Sequence, residues 1–103
     1  MASLSTHILD TSRGRPAAGV PVALETRDGT PIADATTDDD GRVAALGGDL
    51  EPGDYVIRFA TGAHLGVDAF YPEVVVTFAV GADEHYHVPL LLNPYGYSTY
   101  RGS

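Results

Sequence analysis

Glycine and proline punctuate this chain every ten residues or so, and that spacing excludes most architectures before any other property is considered. The 12 glycines and 7 prolines leave between them short runs rich in β-branched and aromatic residues. Runs of this kind, bounded by turn formers, read as strands of a sandwich or barrel. They are residues 4–10 (LSTHILD), 20–26 (VPVALET), 30–37 (TPIADATT), 42–46 (RVAAL), 54–61 (DYVIRFAT), 73–80 (EVVVTFAV), 84–92 (EHYHVPLLL) and 95–101 (YGYSTYR). Asp28 and Gly29 form a hairpin signal between the second and third runs, and Asp40 with Gly41 makes a second turn. No stretch sustains a 3.6-residue apolar period; residues 62–68 have room for one or two helical turns. The expectation is an all-β, two-sheet, eight-stranded sandwich with about four strands per sheet and one short helix, in a single domain over residues 1–103.

Composition narrows the chemistry. The 44% hydrophobic and 19% charged content is that of an ordinary globular domain. There is no cysteine, which removes both a disulfide framework and a thiolate nucleophile and suits a reducing compartment. The net charge is −8, from 14 acidic residues against 6 basic ones, all of them arginine. A phosphate-tracking surface needs clustered Lys and Arg, so neither nucleic acid nor an anionic membrane is an expected partner. The sequence contains no long apolar run, and its start (MASLSTHILD) lacks the basic and apolar regions of a signal peptide. The final RGS is not a peroxisomal address, so a cytoplasmic protein is the expectation.

Neighbours along a strand point to opposite faces, which sorts the side chains. In the first run Thr6 and Ile8 share one face, while His7 and Leu9 share the other. In the seventh, Val88, Leu90 and Leu92 form the core face, and His85, His87, Pro89 and Leu91 point away from it. In the last, Ser98 and Tyr100 fall together. An outward face that mixes leucine with histidine is an unusual solvent surface and marks an interface or a site. Pro89 cannot donate to a ladder, so a bulge or one-sided pairing is expected there.

Several motifs invite metal readings. Asp38, Asp39, Asp40 and Gly41 resemble part of a calcium loop, but a calcium frame placed on Gly41 would begin at Thr36 and end at Gly47, neither a carboxylate, and no flanking helices are visible. A solvated turn is the better reading. Arg42 follows the turn immediately, where its guanidinium is able to reach into a cleft. His85 and His87 share a strand face, a common start for a zinc site with His7 or a carboxylate as third ligand, yet no cysteine pair or HExxH helix accompanies them. His64 reads as ordinary surface. The C-terminal segment carries Tyr95, Tyr97 and Tyr100 and runs on through Arg101 and Gly102 to Ser103. Terminal tails usually fray, but one so rich in aromatics at strand spacing is expected to dock.

The stretches LSTHILDTSRGRPA, DDDGR, FYPEVVVTF and HYHVPLLLNPYGYSTYRGS together resemble the transthyretin-like family, in its hydroxyisourate hydrolase branch, over Leu4 to Ser103. The terminal YRGS is the most specific of these motifs. The resemblance implies a two-sheet, eight-strand sandwich with a short helix, and a homotetramer, a dimer of dimers, with active sites in the channel where dimers meet. It implies hydrolysis of 5-hydroxyisourate, the unstable product of urate oxidation, without a cofactor. Carried over motif by motif, the family's histidine of STH falls on His7, its arginine of DGR on Arg42, and its second histidine on His87, the latter of HYH. The terminal tetrapeptide falls on Tyr100, Arg101, Gly102 and Ser103. The vertebrate hormone carriers of the same fold lack this set, so the resemblance sides with the enzymes; a small-ligand carrier using the same channel is the alternative. Asn93 departs from the family pattern, where serine is common, with no expected functional consequence.

On that reading His7 and His87 share the proton transfers, with their division of labour left open. Arg42 holds substrate oxygens and stabilises an oxyanion, while Tyr100, Arg101 and Ser103 shape and close the site. A covalent role for Ser103 is disfavoured, because no Ser-His-Asp arrangement is evident.

Overall fold

The computed structural model describes residues 2–103. Nine strands and one helical turn follow in the order β1 (Ser3–Asp10), β2 (Arg15–Pro16), β3 (Pro21–Thr26), β4 (Pro31–Thr36), β5 (Arg42–Val43), β6 (Gly53–Phe59), α1 (Gly62–Leu65), β7 (Val74–Val80), β8 (His85–Asn93) and β9 (Gly96–Thr99). They form two sheets. The first runs β2-β1-β8-β9, with β5 also pairing β1, and the second runs β4-β3-β6-β7. The two-sheet sandwich with one short helix is as expected, but the strand count is nine rather than eight. The extra strand is the two-residue β2, and the run at 42–46 contracts to the two residues of β5.

Both short strands are antiparallel to β1: Leu9 opposes Pro16, and His7 opposes Arg42. On its other side β1 lies parallel to β8, with Ser3 opposite His85, Ser5 opposite His87 and Ile8 opposite Leu90. This pairing brings the two ends of the chain together.

The alternation expected for these strands is realised. Leu4, Thr6, Ile8 and Asp10 of β1 are buried while Ser3, Ser5, His7 and Leu9 are half-buried. Val88, Leu90 and Leu92 of β8 face the second sheet, whose Val22, Leu24, Ile57, Phe59 and Val74 complete the core. Each such side chain removed from water contributes about 1.5–3 kcal/mol of transfer free energy. The buried hydroxyl of Thr6 is satisfied by donating to the Val88 carbonyl at 2.6 Å, which avoids the cost of an unpaired polar group and ties β1 to β8 from beneath the outward face.

Pro89 is buried, although alternation puts it on the outward side. It sits where the β8–β9 ladder is interrupted. The pairing that sets Leu90 opposite Thr99 resumes in the same register at His87 and Gly102, with Pro89 opposite Tyr100 in the gap. Pro89 has no N–H for that ladder position, and its carbonyl accepts the Thr99 hydroxyl at 2.7 Å instead. The C-terminal tail therefore docks as a continuation of β9.

Candidate functional site

The outward face of the first sheet collects histidine and arginine from three strands. His7 and Arg42 are brought side by side by the β1–β5 pairing, and that pairing depends on one glycine. Gly41 adopts φ +73, and a Cβ there would lie 2.5 Å from the Ile8 carbonyl oxygen. Its own carbonyl accepts the Ile8 N–H at 2.8 Å. Only glycine combines that left-handed conformation with so close an approach. The acidic run before it is consumed in the turn: Asp38 Oδ1 accepts the backbone N–H of Asp40 at 2.9 Å and of Arg42 at 3.0 Å. This is an Asx turn that aims Arg42.

Among the described residues Arg42 has no ion-pair partner, whereas Arg13, Arg27, Arg58 and Arg101 each pair with a carboxylate. His7 Nε2 lies 2.9 Å from the Asp40 carbonyl oxygen. A carbonyl can only accept, so this nitrogen carries the proton and Nδ1 of a neutral His7 carries the lone pair.

His87 is half-buried on β8. Its Nδ1 is 2.7 Å from the Ser5 hydroxyl, leaving Nε2 as the ring's second nitrogen for other work. Burial pushes its pKa below the ordinary histidine value, and the positive charge of Arg42, then His7 and His85, pushes it further down. A neutral imidazole at neutral pH follows, which is the form a general base requires. The tail closes over this ring. Gly102 donates its N–H to the His87 carbonyl at 2.8 Å, and a Cβ on Gly102 would meet His87 Cδ2 at 2.4 Å.

The structure thus brings together His7, Arg42, His87 and Gly102. Tyr100, in register opposite Pro89, is exposed, and Ser103 lies exposed one residue past Gly102. Arg101 is not brought to the group. It follows the alternation to the opposite side, where its guanidinium sits 4.5 Å from the centre of the Tyr86 ring and pairs with Glu84. No set of three His, Cys, Asp or Glu side chains able to hold a metal occurs among the described residues. Both nitrogens of His85 are instead engaged by serine hydroxyls, Ser3 at 2.6 Å and Ser5 at 2.7 Å.

Two features escaped the sequence reading. One is this serine–histidine chain, which follows from the parallel β1–β8 register. The other is His64, which is not ordinary surface: its Nε2 lies 2.7 Å from Oδ2 of buried Asp10. Burial alone would raise the Asp10 pKa. Hydrogen bonds from the Ser12 side chain, His64 and the backbone of Arg13 and Ser12 outweigh it and lower the value to about 2. This pair fastens α1 to the end of β1, away from the His7–His87 group.

Fold and site define a two-sheet β-sandwich with an imidazole-and-guanidinium cluster on the outer face of one sheet. The chain belongs to the HIUase/Transthyretin family, whose model matches residues 4–102. It is 48% identical to the 5-hydroxyisourate hydrolase of Caulobacter vibrioides, with all of both chains covered. The structure of Klebsiella pneumoniae 5-hydroxyisourate hydrolase matches it with a TM-score of 0.92 and 41% identity over the whole of both chains. Sea bream transthyretin in complex with thyroxine matches with a TM-score of 0.86 and 32% identity, over 96% of this chain and 93% of that one.

Proposed function

We propose that this chain is a 5-hydroxyisourate hydrolase that opens the substrate ring to give 2-oxo-4-hydroxy-4-carboxy-5-ureidoimidazoline, a step of urate degradation within purine catabolism. The observation that carries the reading is the convergence on one face of His87, His7 and an Arg42 that has no ion-pair partner among the described residues. Two full-length relatives that bear the hydrolase name support it.

In this reading His87 is the general base. Its Nε2 takes a proton from water as the water oxygen attacks a ring carbonyl, and the resulting imidazolium returns that proton to the departing ring nitrogen. Arg42 binds the substrate oxygens and holds the oxyanion that develops during attack, a role for which its planar donor fork is suited. His7, held by the Asp40 carbonyl, borders the substrate opposite the tail. Gly102 fixes the edge of the His87 ring, while Tyr100 and Ser103 close the site. Arg101 acts through the tail, since its pairing with Glu84 and Tyr86 anchors the strand that delivers Gly102. Water and side chains suffice for every step.

The working protein is a homotetramer, a dimer of dimers, whose sites lie where dimers meet. Support comes from the outward face itself, where the half-buried Leu9 and Leu91 flank the histidines and Tyr100 stands exposed. The chain acts as one domain. A cytoplasmic location accords with the lack of cysteine, and no helix among the described residues is long and apolar enough to cross a membrane.

The test is to generate 5-hydroxyisourate in place with urate oxidase and follow product formation by NMR with and without the protein. Formation of the ureidoimidazoline well above the spontaneous rate supports the reading. Formation at the spontaneous rate, with tight binding of the intact substrate, moves the chain to the ligand-carrier class instead.

A further inference from the structure

The half of His87 that faces away from substrate is held by a chain of side chains that the hydrolytic scheme does not use. Ser3, His85, Ser5 and His87 are consecutive partners on the outward face of the parallel β1–β8 pair. Three contacts link them: Ser3 Oγ to His85 Nδ1 at 2.6 Å, His85 Nε2 to Ser5 Oγ at 2.7 Å, and Ser5 Oγ to His87 Nδ1 at 2.7 Å. Short serines on one strand and long imidazoles on the other make this possible, since same-face partners across a pair stand about 5 Å apart.

The serine in the middle imposes a constraint. A hydroxyl has one proton, so Ser5 cannot donate to both imidazoles; one of the two nitrogens it touches must carry the hydrogen. Two arrangements of a neutral chain keep the Ser5 hydrogen within it; a third, with that hydrogen turned outward and Ser5 accepting from both rings, leaves His87 as in the second of the two. In the first, every hydrogen points toward His87, and Nε2 of His87 carries its proton. In the second, every hydrogen points toward Ser3, and Nε2 of His87 carries the lone pair. Arg42 decides between them. A guanidinium offers only N–H donors and positive charge, and its field favours a lone pair over a proton on the free nitrogen of a neighbouring ring.

We propose that Ser5, oriented by His85, is a positioning residue for His87: it accepts the His87 Nδ1 proton, donates its own to His85 Nε2, and so holds His87 in the tautomer whose Nε2 can take a proton from water. The proposal rests on the hydrolytic reading for its catalytic consequence, but not for its structural content. His85 acts at one remove, as the acceptor that turns the Ser5 hydrogen away from His87. Ser3 closes the chain by accepting the His85 Nδ1 proton at the exposed end. When His87 becomes an imidazolium in the reaction, the same Ser5 oxygen still accepts its Nδ1 proton, so no group has to reorient between attack and release. The charged and titratable groups that face His87 are Arg42 on β5, His7 on β1 and His85 on β8.

The experiment is nitrogen-15 NMR of the His87 ring in the intact protein, at a pH above its titration, for the wild type, Ser5→Ala, Ser5→Thr and His85→Phe. The expected result is the Nδ1–H tautomer in the wild type and in Ser5→Thr, which keeps the hydroxyl. In Ser5→Ala and His85→Phe the ring should move toward the Nε2–H form that free histidine side chains prefer. Activity should follow, with kcat about tenfold lower in Ser5→Ala and His85→Phe, KM little changed, and Ser5→Thr near the wild type. His85→Phe alters neither Ser5 nor His87, so a tautomer change in it is specific to the chain. A wild type in the Nε2–H form, or a tautomer indifferent to Ser5→Ala and His85→Phe, would overturn the proposal. Absence of hydrolysis in the wild type would instead contradict the functional reading and leave the NMR result to stand alone.

Discussion

Gly102 lies so close to the His87 imidazole that a methyl group in place of its hydrogen would stand 2.4 Å from Cδ2 of the ring. The contact is between the backbone of the docked, extended tail and the side chain proposed as the base, and it explains why the tail needs glycine at that position. Gly102→Ala should displace either the ring or the tail. We expect kcat/KM to fall about 10- to 100-fold, as small misplacements of a catalytic group commonly do, with the thermal midpoint nearly unchanged because the site is at the surface. Steady-state kinetics beside a melting curve checks both halves.

Arg42→Gln should lower kcat/KM by about 10²–10³, the usual consequence of removing an oxyanion partner, and Arg42→Lys should recover little, because an ammonium lacks the planar fork. A second effect concerns pH. Burial, then the charge of Arg42, depresses the His87 pKa. Removing that charge lets the pKa climb back toward the ordinary value. Less of the neutral base then exists at mildly acidic pH, so the acid limb of the kcat/KM profile in Arg42→Gln should move to higher pH. A profile with residual activity but an unmoved acid limb would contradict the assignment of that limb to His87.

Buried Asp10, held ionised by the Ser12 side chain and then by His64 and the backbone of Arg13 and Ser12, gives an acid-sensitive component of stability. Asp10 has a folded pKa of about 2, below the ordinary value of 3.8 expected in the unfolded chain. A depressed carboxyl pKa contributes stability that is fully present above the unfolded value and lost as pH falls through the folded one. The contribution is about 2 kcal/mol, disappearing between about pH 5 and pH 1. Urea unfolding should therefore show a fall in stability across that acid window in the wild type that Asp10→Asn lacks. Since Asp10 and His64 lie away from the His7–His87 group, Asp10→Asn should keep the kcat of any folded fraction.

If two subunits complete each site, activity per chain should fall on dilution in step with tetramer dissociation followed by light scattering. Full specific activity in a monodisperse monomer would contradict the proposed assembly.

Much of this was legible in the sequence for a definable reason. Burial of one face forces period 2, so β1 and β8 announced both their core residues and the outward placement of His7 and His87. The Asp40–Gly41 turn was legible because its conformation needs glycine. What was hidden depends on which strands meet. Nothing local to residues 3–5 or 85–87 states that β1 and β8 run parallel with Ser5 opposite His87, so the serine–histidine chain had no signal. The two-residue strands β2 and β5 are created by pairing with β1 rather than by their own composition. His64 looked like loop surface because its partner is 54 residues away. Arg101 was a different matter: it lies within the run 95–101, and alternation from Ser98 and Tyr100 already puts it on the opposite face from them, where the β8–β9 register sets it over Tyr86.

The most direct test of the central claim is the rate at which the ultraviolet absorbance of freshly generated 5-hydroxyisourate decays with wild-type protein, with His87→Ala and with no protein, each with and without chelator. The account predicts fast, chelator-insensitive decay with the wild type and decay close to the spontaneous rate with His87→Ala. Wild-type decay that His87→Ala matches, or that chelator abolishes, would contradict it.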